Sequence, residues 1–152
     1  MTLRTIIVDD EELARDRLRR FLDAEPDVRI VAECPDGARA VRAILAERPD
    51  VVFLDVQMPG MDGFGVLREI RAEIEAGGFD AGALPLVVFV TAFNEHALHA
   101  FEVHAIDYVL KPIEAERIAS AVARVRARRA QADAARRLRE LERLAAGGME
   151  AD

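Results

Sequence analysis

Five times along this chain a short apolar run is followed by an amphipathic stretch, and that beat restricts the possible folds more than any other feature of the sequence. Residues 4–8 are rich in β-formers, and across 10–24 Ala14, Leu18, Phe21 and Leu22 recur at the spacing of one helix face. Residues 28–34 form a second apolar run. Asp36 then opens a helix along which Ala38, Val41 and Leu45 share a side, ending near Pro49 because proline disfavours helical backbone before it. Residues 51–56 are almost wholly apolar, as a strand covered on both faces requires, and from Asp62 onward Leu67, Ile70 and Ile74 follow at helical spacing. Gly77, Gly78 and Gly82 mark a loose loop. A strand over 86–90, a short helix over 95–103, a strand over 107–110 and a helix from Glu114 through Ile118, Val122 and Val125 complete the five units.

Such alternation builds a parallel sheet with right-handed crossovers and helices on both faces. For five strands the common order is 2-1-3-4-5, the doubly wound, flavodoxin-like arrangement. Strands 1 and 3 then flank the point where the winding reverses, and ligands bind there, outside the carboxyl ends of the strands. A chain of 152 residues, 51% of them hydrophobic, suits one α/β domain that needs no covalent staple, and the lone Cys34 supplies neither a disulfide nor a zinc site. No apolar run approaches the roughly 20 residues of a membrane span, and residues 1–8 lack a signal-peptide pattern, so the expected location is the cytoplasm, with no membrane partner. A net charge of −7 weighs against a general nucleic-acid binder.

Residues 1–126 read as the globular domain and 127–152 as a helical extension or linker. In the extension Leu138, Leu141 and Ala145 fall in a different frame from Ile118, Val122 and Val125, so the last helix is predicted to run on past the body, ending at Gly147 and Gly148. Eight arginines against three acids between 124 and 143 suit a solvated helix, a two-chain coiled coil or a connector to another domain.

Four of the predicted strands end on a polar residue: Asp9 and Asp10, Asp55, Thr91 and Lys111. All then lie on one edge of the sheet. An isolated aspartate at a strand end is commonly a helix cap, and Asp10, Asp36 and Asp62 could each serve so, but four such ends together ask for a common purpose. Three carboxylates converging at the switch point repel one another and call for a cation, and hard oxygen ligands select Mg²⁺. A carboxylate, a metal ion, a hydroxyl and an ammonium are the parts that phosphoryl transfer needs, with Asp55 as nucleophile and Asp9 and Asp10 holding the ion. Of 21 basic residues Lys111 alone is lysine, which fits a position that wants a compact ammonium rather than a planar guanidinium.

The stretches Ile6-Ile7-Val8-Asp9-Asp10-Glu11, Leu54-Asp55-Val56-Gln57-Met58-Pro59-Gly60-Met61-Asp62-Gly63, Val90-Thr91-Ala92 and Tyr108-Val109-Leu110-Lys111-Pro112 resemble, in order and spacing, the receiver domain of bacterial response regulators, over about residues 3–126. Thr91-Ala92-Phe93, Ala97-Leu98, Ala100-Phe101-Glu102-Val103 and Ala105-Ile106-Asp107-Tyr108 further resemble its LytTR-type subgroup, whose members usually carry a DNA-binding domain after the receiver. The resemblance implies that Asp55 accepts phosphate from a sensor histidine kinase. It implies that Asp10, Asp55 and the backbone carbonyl of Gln57 bind Mg²⁺ with Asp9 acting through water, that Thr91 and Lys111 contact the acyl phosphate, and that Tyr108 swings with Thr91 as a switch aromatic. Lys111-Pro112 resembles the family's cis peptide, and Gln57 and Phe93, flanking the site, would tune the lifetime of the phosphate. The expected output is transcriptional, through homodimerisation on the face of the fourth helix, fifth strand and fifth helix, with Glu102, Asp107 and Arg124 as candidate ion-pair partners. DNA would be reached only through an output domain that this chain does not contain. The connection over 74–85 looks longer than the family's usual one.

Two other functions compete. A Mg²⁺-dependent phosphatase of the haloacid dehalogenase type also uses an aspartyl phosphate, but it is marked by Asp-x-Asp after its first strand, where this chain has adjacent Asp9 and Asp10. A receiver-like dimerisation scaffold that takes no phosphate would lack the acceptor, an acid or the lysine, and all are present. The expected role is therefore that of a signalling module that catalyses only its own phosphorylation and dephosphorylation, not an enzyme acting on an outside substrate. His96, His99 and His104 read as surface histidines rather than a metal trio, Phe93, Phe101 and Val103 as core and interface, and Met58 and Met61 as turn packing.

Overall fold

A computed structural model describes the backbone of residues 1–150 and the side chains of residues 1–147. Its elements are β1 (Leu3–Val8), α1 (Glu12–Asp23), β2 (Val28–Cys34), α2 (Gly37–Glu47), β3 (Val51–Leu54), α3 (Gly63–Glu75), β4 (Leu86–Thr91), α4 (Ala97–Glu102), β5 (Asp107–Leu110) and α5 (Ala115–Glu150), with one 3-10 turn at Ala81–Ala83. The strands form one parallel sheet in the order β2-β1-β3-β4-β5. The two-residue alternation of the strands divides the core. Ile6, Val8, Val52, Leu54 and Phe89 face α2, α3 and α4 through Ile44, Phe64, Ile70 and Ala100, and Ile7, Phe53, Val88, Val90 and Val109 face α1 and α5 through Leu18, Leu22, Ile118, Val122 and Val125.

The helix starts reveal which aspartates are spent on capping. Asp36 accepts from the Arg39 N–H and Asp62 from the Gly65 N–H, each at 2.8 Å, so both serve as N-caps. Asp10 does not: the residue before α1 is Glu11, which makes no side-chain cap, and the Glu11 N–H is taken by Asp9 at 2.9 Å. The carboxylate of Asp10 stays exposed and uncommitted.

Three expectations are corrected. The glycine-marked connection is not loose, because Phe79 is buried to 4% exposure under the guanidinium of Arg48, 5.6 Å from its ring centre. The last helix does not stop at Gly147 and Gly148 but continues through them to Glu150; glycine costs about 1 kcal/mol in a helix interior, yet it keeps both backbone hydrogen-bonding groups. Asp107 is not free to reach across an interface, since its buried carboxylate accepts two hydrogen bonds from Arg117 at 2.6 and 2.8 Å and lies 3.5 Å from Arg124 of the same chain.

Candidate functional site

Register brings the predicted residues to one edge. Val8 lies beside Leu54 in the β1–β3 pair, so the residues that follow, Asp9 and Asp55, emerge side by side, and the Asp55 N–H donates to the Val8 carbonyl at 3.0 Å. Thr91 closes β4 next to Leu110, and the Lys111 N–H donates to the Thr91 carbonyl at 2.8 Å. The Lys111–Pro112 peptide bond is cis. On the far side of the edge Arg17 donates to the Ile113 carbonyl at 2.8 Å, tying α1 to the loop before α5.

Each buried carboxylate is held at both oxygens. In Asp9, Oδ1 accepts from the Glu11 N–H, and Oδ2 accepts from Lys111 Nζ at 2.7 Å. In Asp55, Oδ1 accepts from the Gln57 N–H at 3.2 Å, and Oδ2 accepts from the same Nζ at 3.1 Å. One ammonium thus bridges two aspartates whose side chains are only 7% and 6% exposed. Burial pushes the Asp55 carboxyl above the ordinary aspartate range; Lys111 pulls it down and the Asp9 charge pushes it further up, and the net is upward. For Lys111, burial works to lower the ammonium, but the Asp9 hydrogen bond and the Asp55 charge outweigh it and the net is a raised value.

Ligand atoms of Asp9, Asp10 and Asp55 lie within 4.8 Å of one another, the metal-ligating cluster found among the described residues. Three carboxylates against one ammonium leave two negative charges unbalanced, and all the donors are hard oxygens, so the residues fit a Mg²⁺-like ion. Thr91 completes the edge in an unusual condition. Its side chain is fully buried, and its Oγ1 finds no hydrogen-bond partner among the described residues. A hydroxyl left so costs about 1–3 kcal/mol unless something supplies a partner.

Tyr108 sits half-buried with its hydroxyl donating to the Phe93 carbonyl, which fastens β5 to the loop after Thr91. Gln57 is exposed and its amide lies 3.1 Å from His96 Nε2, while the ring of His99 stacks on Phe64 at 3.8 Å, so the histidines take separate structural places. Met58 is buried in the turn and Met61 packs against it and α2, as read from sequence. Phe93, Leu98, Phe101 and Leu110 stand exposed at 38%, 72%, 79% and 45%, which makes the outer face of α4 and β5 apolar; Val103 alone of the residues read as core there packs inward.

One positioning residue went unassigned in the sequence reading. A Cβ on Gly63 would stand 2.5 Å from the Asp55 carbonyl oxygen, so α3 can begin this close to the nucleophile candidate only through glycine. The signal lay in the Asp62-Gly63 pair, but its target is a backbone atom eight residues earlier. Cys34, its thiol pushed up to about 11 by burial, takes no part in the site.

The family model of the response regulator receiver domain matches residues 5–123. Over 131 residues the chain is 43% identical to the transcriptional regulatory protein BtsR of Escherichia coli K12, covering 86% of this chain and 51% of that one. An uncharacterized response regulatory protein of Yersinia pestis is 45% identical over 123 residues, 81% of this chain and 48% of its own length. The chain spans about half the length of these curated relatives. Among solved structures, the response regulatory domain of protein mrkE from Klebsiella pneumoniae superposes with a TM-score of 0.73 at 32% identity, covering 85% of this chain and 99% of that one. The REC domain of AraT from Geobacillus stearothermophilus does so with a TM-score of 0.74 at 30% identity, covering 88% and 99%. No helix among the described residues is long and apolar enough to cross a membrane.

Proposed function

Because the chain belongs to the response regulator receiver domain family, we propose that Asp55 takes a phosphoryl group from a sensor histidine kinase and that the α4–β5–α5 face reports the change to a transcriptional output. The observation that carries this reading is the partly buried Lys111 ammonium shared by Asp9 and Asp55 beside a buried hydroxyl, Thr91 Oγ1, that has no partner among the described residues. Both are groups that a phosphoryl oxygen would satisfy. Asp9, Asp10, Asp55 and the Gln57 carbonyl would hold Mg²⁺, with Asp9 acting through water, and the ion, when bound, supplies charge neutralisation for the transferring oxygens.

In the step itself an ionised Asp55 oxygen attacks phosphorus, the bond from phosphorus to the donor's nitrogen or oxygen breaks, and the donor leaves with that electron pair. Lys111, drawn from its bridging position, meets one phosphoryl oxygen with a compact charge, and the Thr91 hydroxyl donates to another. Movement of Thr91 pulls on the loop through Phe93, whose carbonyl holds Tyr108, and so reaches the exposed apolar side chains of α4 and β5. That patch supports phosphorylation-dependent homodimerisation there, with Phe101 and Leu98 rather than Asp107 in the contact. The 97–108 segments support placement in the LytTR-type subgroup, and the transcriptional names and length of the relatives support a DNA-binding output beyond residues 1–126, with 127–152 as the extension or linker to it.

The test is incubation with acetyl phosphate and Mg²⁺ followed by intact-mass measurement. A single phosphoryl adduct is expected, absent in Asp55→Asn. Lys111→Arg is expected to keep Mg²⁺ binding but to lose the change in the Tyr108 NMR environment. An adduct of undiminished yield on Asp55→Asn would overturn the assignment of the acceptor.

A further inference from the structure

Past Val125, α5 leaves the globular body with one side still engaged. Arg126 holds Asp27, Arg129 holds Asp50, and Asp133 and Arg136 continue the ladder on that side. At 3.6 residues per turn, Ala127, Gln131, Ala134, Leu138, Leu141 and Ala145 fall on the opposite side of the helix. Their intervals alternate four and three, which is the seam of a two-stranded coil. All are exposed, Leu138 at 58% and Leu141 at 64%, and no element of the body covers them. A lone helix of this length in water gains little from its own backbone and is held by whatever packs on its apolar side.

The charges indicate what packs there. With Leu138 and Leu141 at the a and d positions, Arg137 takes the g position and Glu142 the next e, the two that meet between parallel partners. Among the described residues neither makes an ion pair within the chain, although their neighbours do: Arg136 lies near Asp133 and Arg143 pairs with Glu140. Ala130, Ala135 and Leu144 occupy other e and g positions and widen the apolar strip, and Gln131 is the one polar residue in the seam, the kind of position that favours an in-register pairing.

The geometry points to a second copy of this chain as the occupant: α5 over 127–145 forms a parallel, in-register two-stranded coil in which each Arg137 pairs with Glu142 of the partner subunit. Because the seam faces away from the body, the two receivers sit on the outer sides of the coil and do not collide. The pairing uses neither Asp55 nor the α4–β5 patch, so it holds two receivers together before any phosphoryl group arrives, and phosphorylation then changes which faces meet rather than the number of chains.

Sedimentation equilibrium of the unphosphorylated chain, without any phosphate mimic, tests this. A concentration-dependent dimer is expected. Arg137→Glu or Glu142→Arg alone should weaken it about tenfold by turning two attractive pairs into repulsive ones, and the double variant should recover to within about threefold of wild type. Leu138→Glu with Leu141→Glu should leave only monomer, and since these side chains touch nothing in the body the receiver stays folded. Phe101→Arg, on the face assigned to phosphorylation, should leave the dimer unchanged. A monomer at every concentration, a dimer indifferent to either charge reversal, or one lost in Phe101→Arg overturns the coil and leaves the phosphoryl-acceptor reading untouched.

Discussion

The two edges of one sheet treat their carboxylates in opposite ways. At the amino edge Asp27 and Asp50, just before β2 and β3, are each met by an arginine of α5, Arg126 and Arg129, and Arg126 also reaches Glu25. At the carboxyl edge Asp9 and Asp55 share a single lysine, and among the described residues neither the Asp10 carboxylate nor Thr91 Oγ1 has a partner. The titration of the two edges follows. Hydrogen bonds from Arg126 hold the Asp27 carboxyl below the ordinary range, whereas burial holds Asp55 above it. One edge gives each aspartate its own arginine and closes the fold, leaving only Arg129 Nε short of a hydrogen bond among the described residues, with Asp133 3.5 Å away; the other is left short of positive charge, with the Thr91 hydroxyl unpartnered, the deficit that a metal ion and a phosphoryl group would fill.

The sharpest way to break this contrast is to remove the shared cation. Lys111→Met should cost about 3–5 kcal/mol at neutral pH, because two buried carboxylates are left facing each other, and millimolar Mg²⁺ should return part of it in a denaturant titration. Gly63→Ala should cost about 2–3 kcal/mol, since its methyl meets the Asp55 carbonyl oxygen at 2.5 Å and backbone must shift; the amide resonances of Asp55 and Gln57 should move with it. Arg126→Ala, at the arginine-paired edge, should lose a more modest amount, about 1–2 kcal/mol, because the guanidinium is 38% exposed.

Asp55→Asn should act in the other direction, raising the melting temperature at neutral pH, because burial disfavours the ionised carboxyl and the amide removes that charge. Its raised value means that stability is fully present below the unfolded value near 3.8 and falls as pH rises through the folded one, so the gain should vanish below about pH 4. For Asp27 the sign reverses: its contribution is present above the unfolded value and is lost as pH falls through the folded one. Melting curves from pH 7 to 2 for wild type, Asp55→Asn and Asp27→Asn should therefore diverge in opposite senses. The smallest effect is expected for Asp10→Asn, which should leave stability nearly unchanged without metal, the side chain being exposed, yet weaken Mg²⁺ binding measured by NMR titration.

Much of the carboxyl edge was legible because strand ends are local features. Ile6-Ile7-Val8 before Asp9, Val52-Phe53-Leu54 before Asp55 and Val88-Phe89-Val90 before Thr91 state where each strand stops, and parallel order then puts the stops side by side. The sequence likewise announced that α5 outruns the body, through the shift in frame between Val125 and Leu138. It misjudged the segment around Phe79, because three nearby glycines say nothing of a single aromatic that finds a pocket under Arg48. It also placed Asp107 at an interface, because the arginines that occupy it arrive from the next helix.

The alternation of strands and helices, the strand ends that carry the polar residues and the identity of the lone lysine were thus determined by the chain's own pattern, since periodicity and strand ends are set by neighbours within a few positions; the strand order followed from the common arrangement for such a chain and was borne out by the sheet. Tertiary structure alone decided that one Nζ would bridge Asp9 and Asp55, 102 and 56 residues away, and that Asp9 rather than Asp10 would take the Glu11 amide. It alone decided that Thr91 would be buried without a partner. It also set Arg126 against Asp27, 99 residues apart, and so turned the apolar seam of α5 outward. These depend on register, crossover and helix rotation about the axis, where a shift of one residue moves a side chain to another face, and no local pattern encodes that.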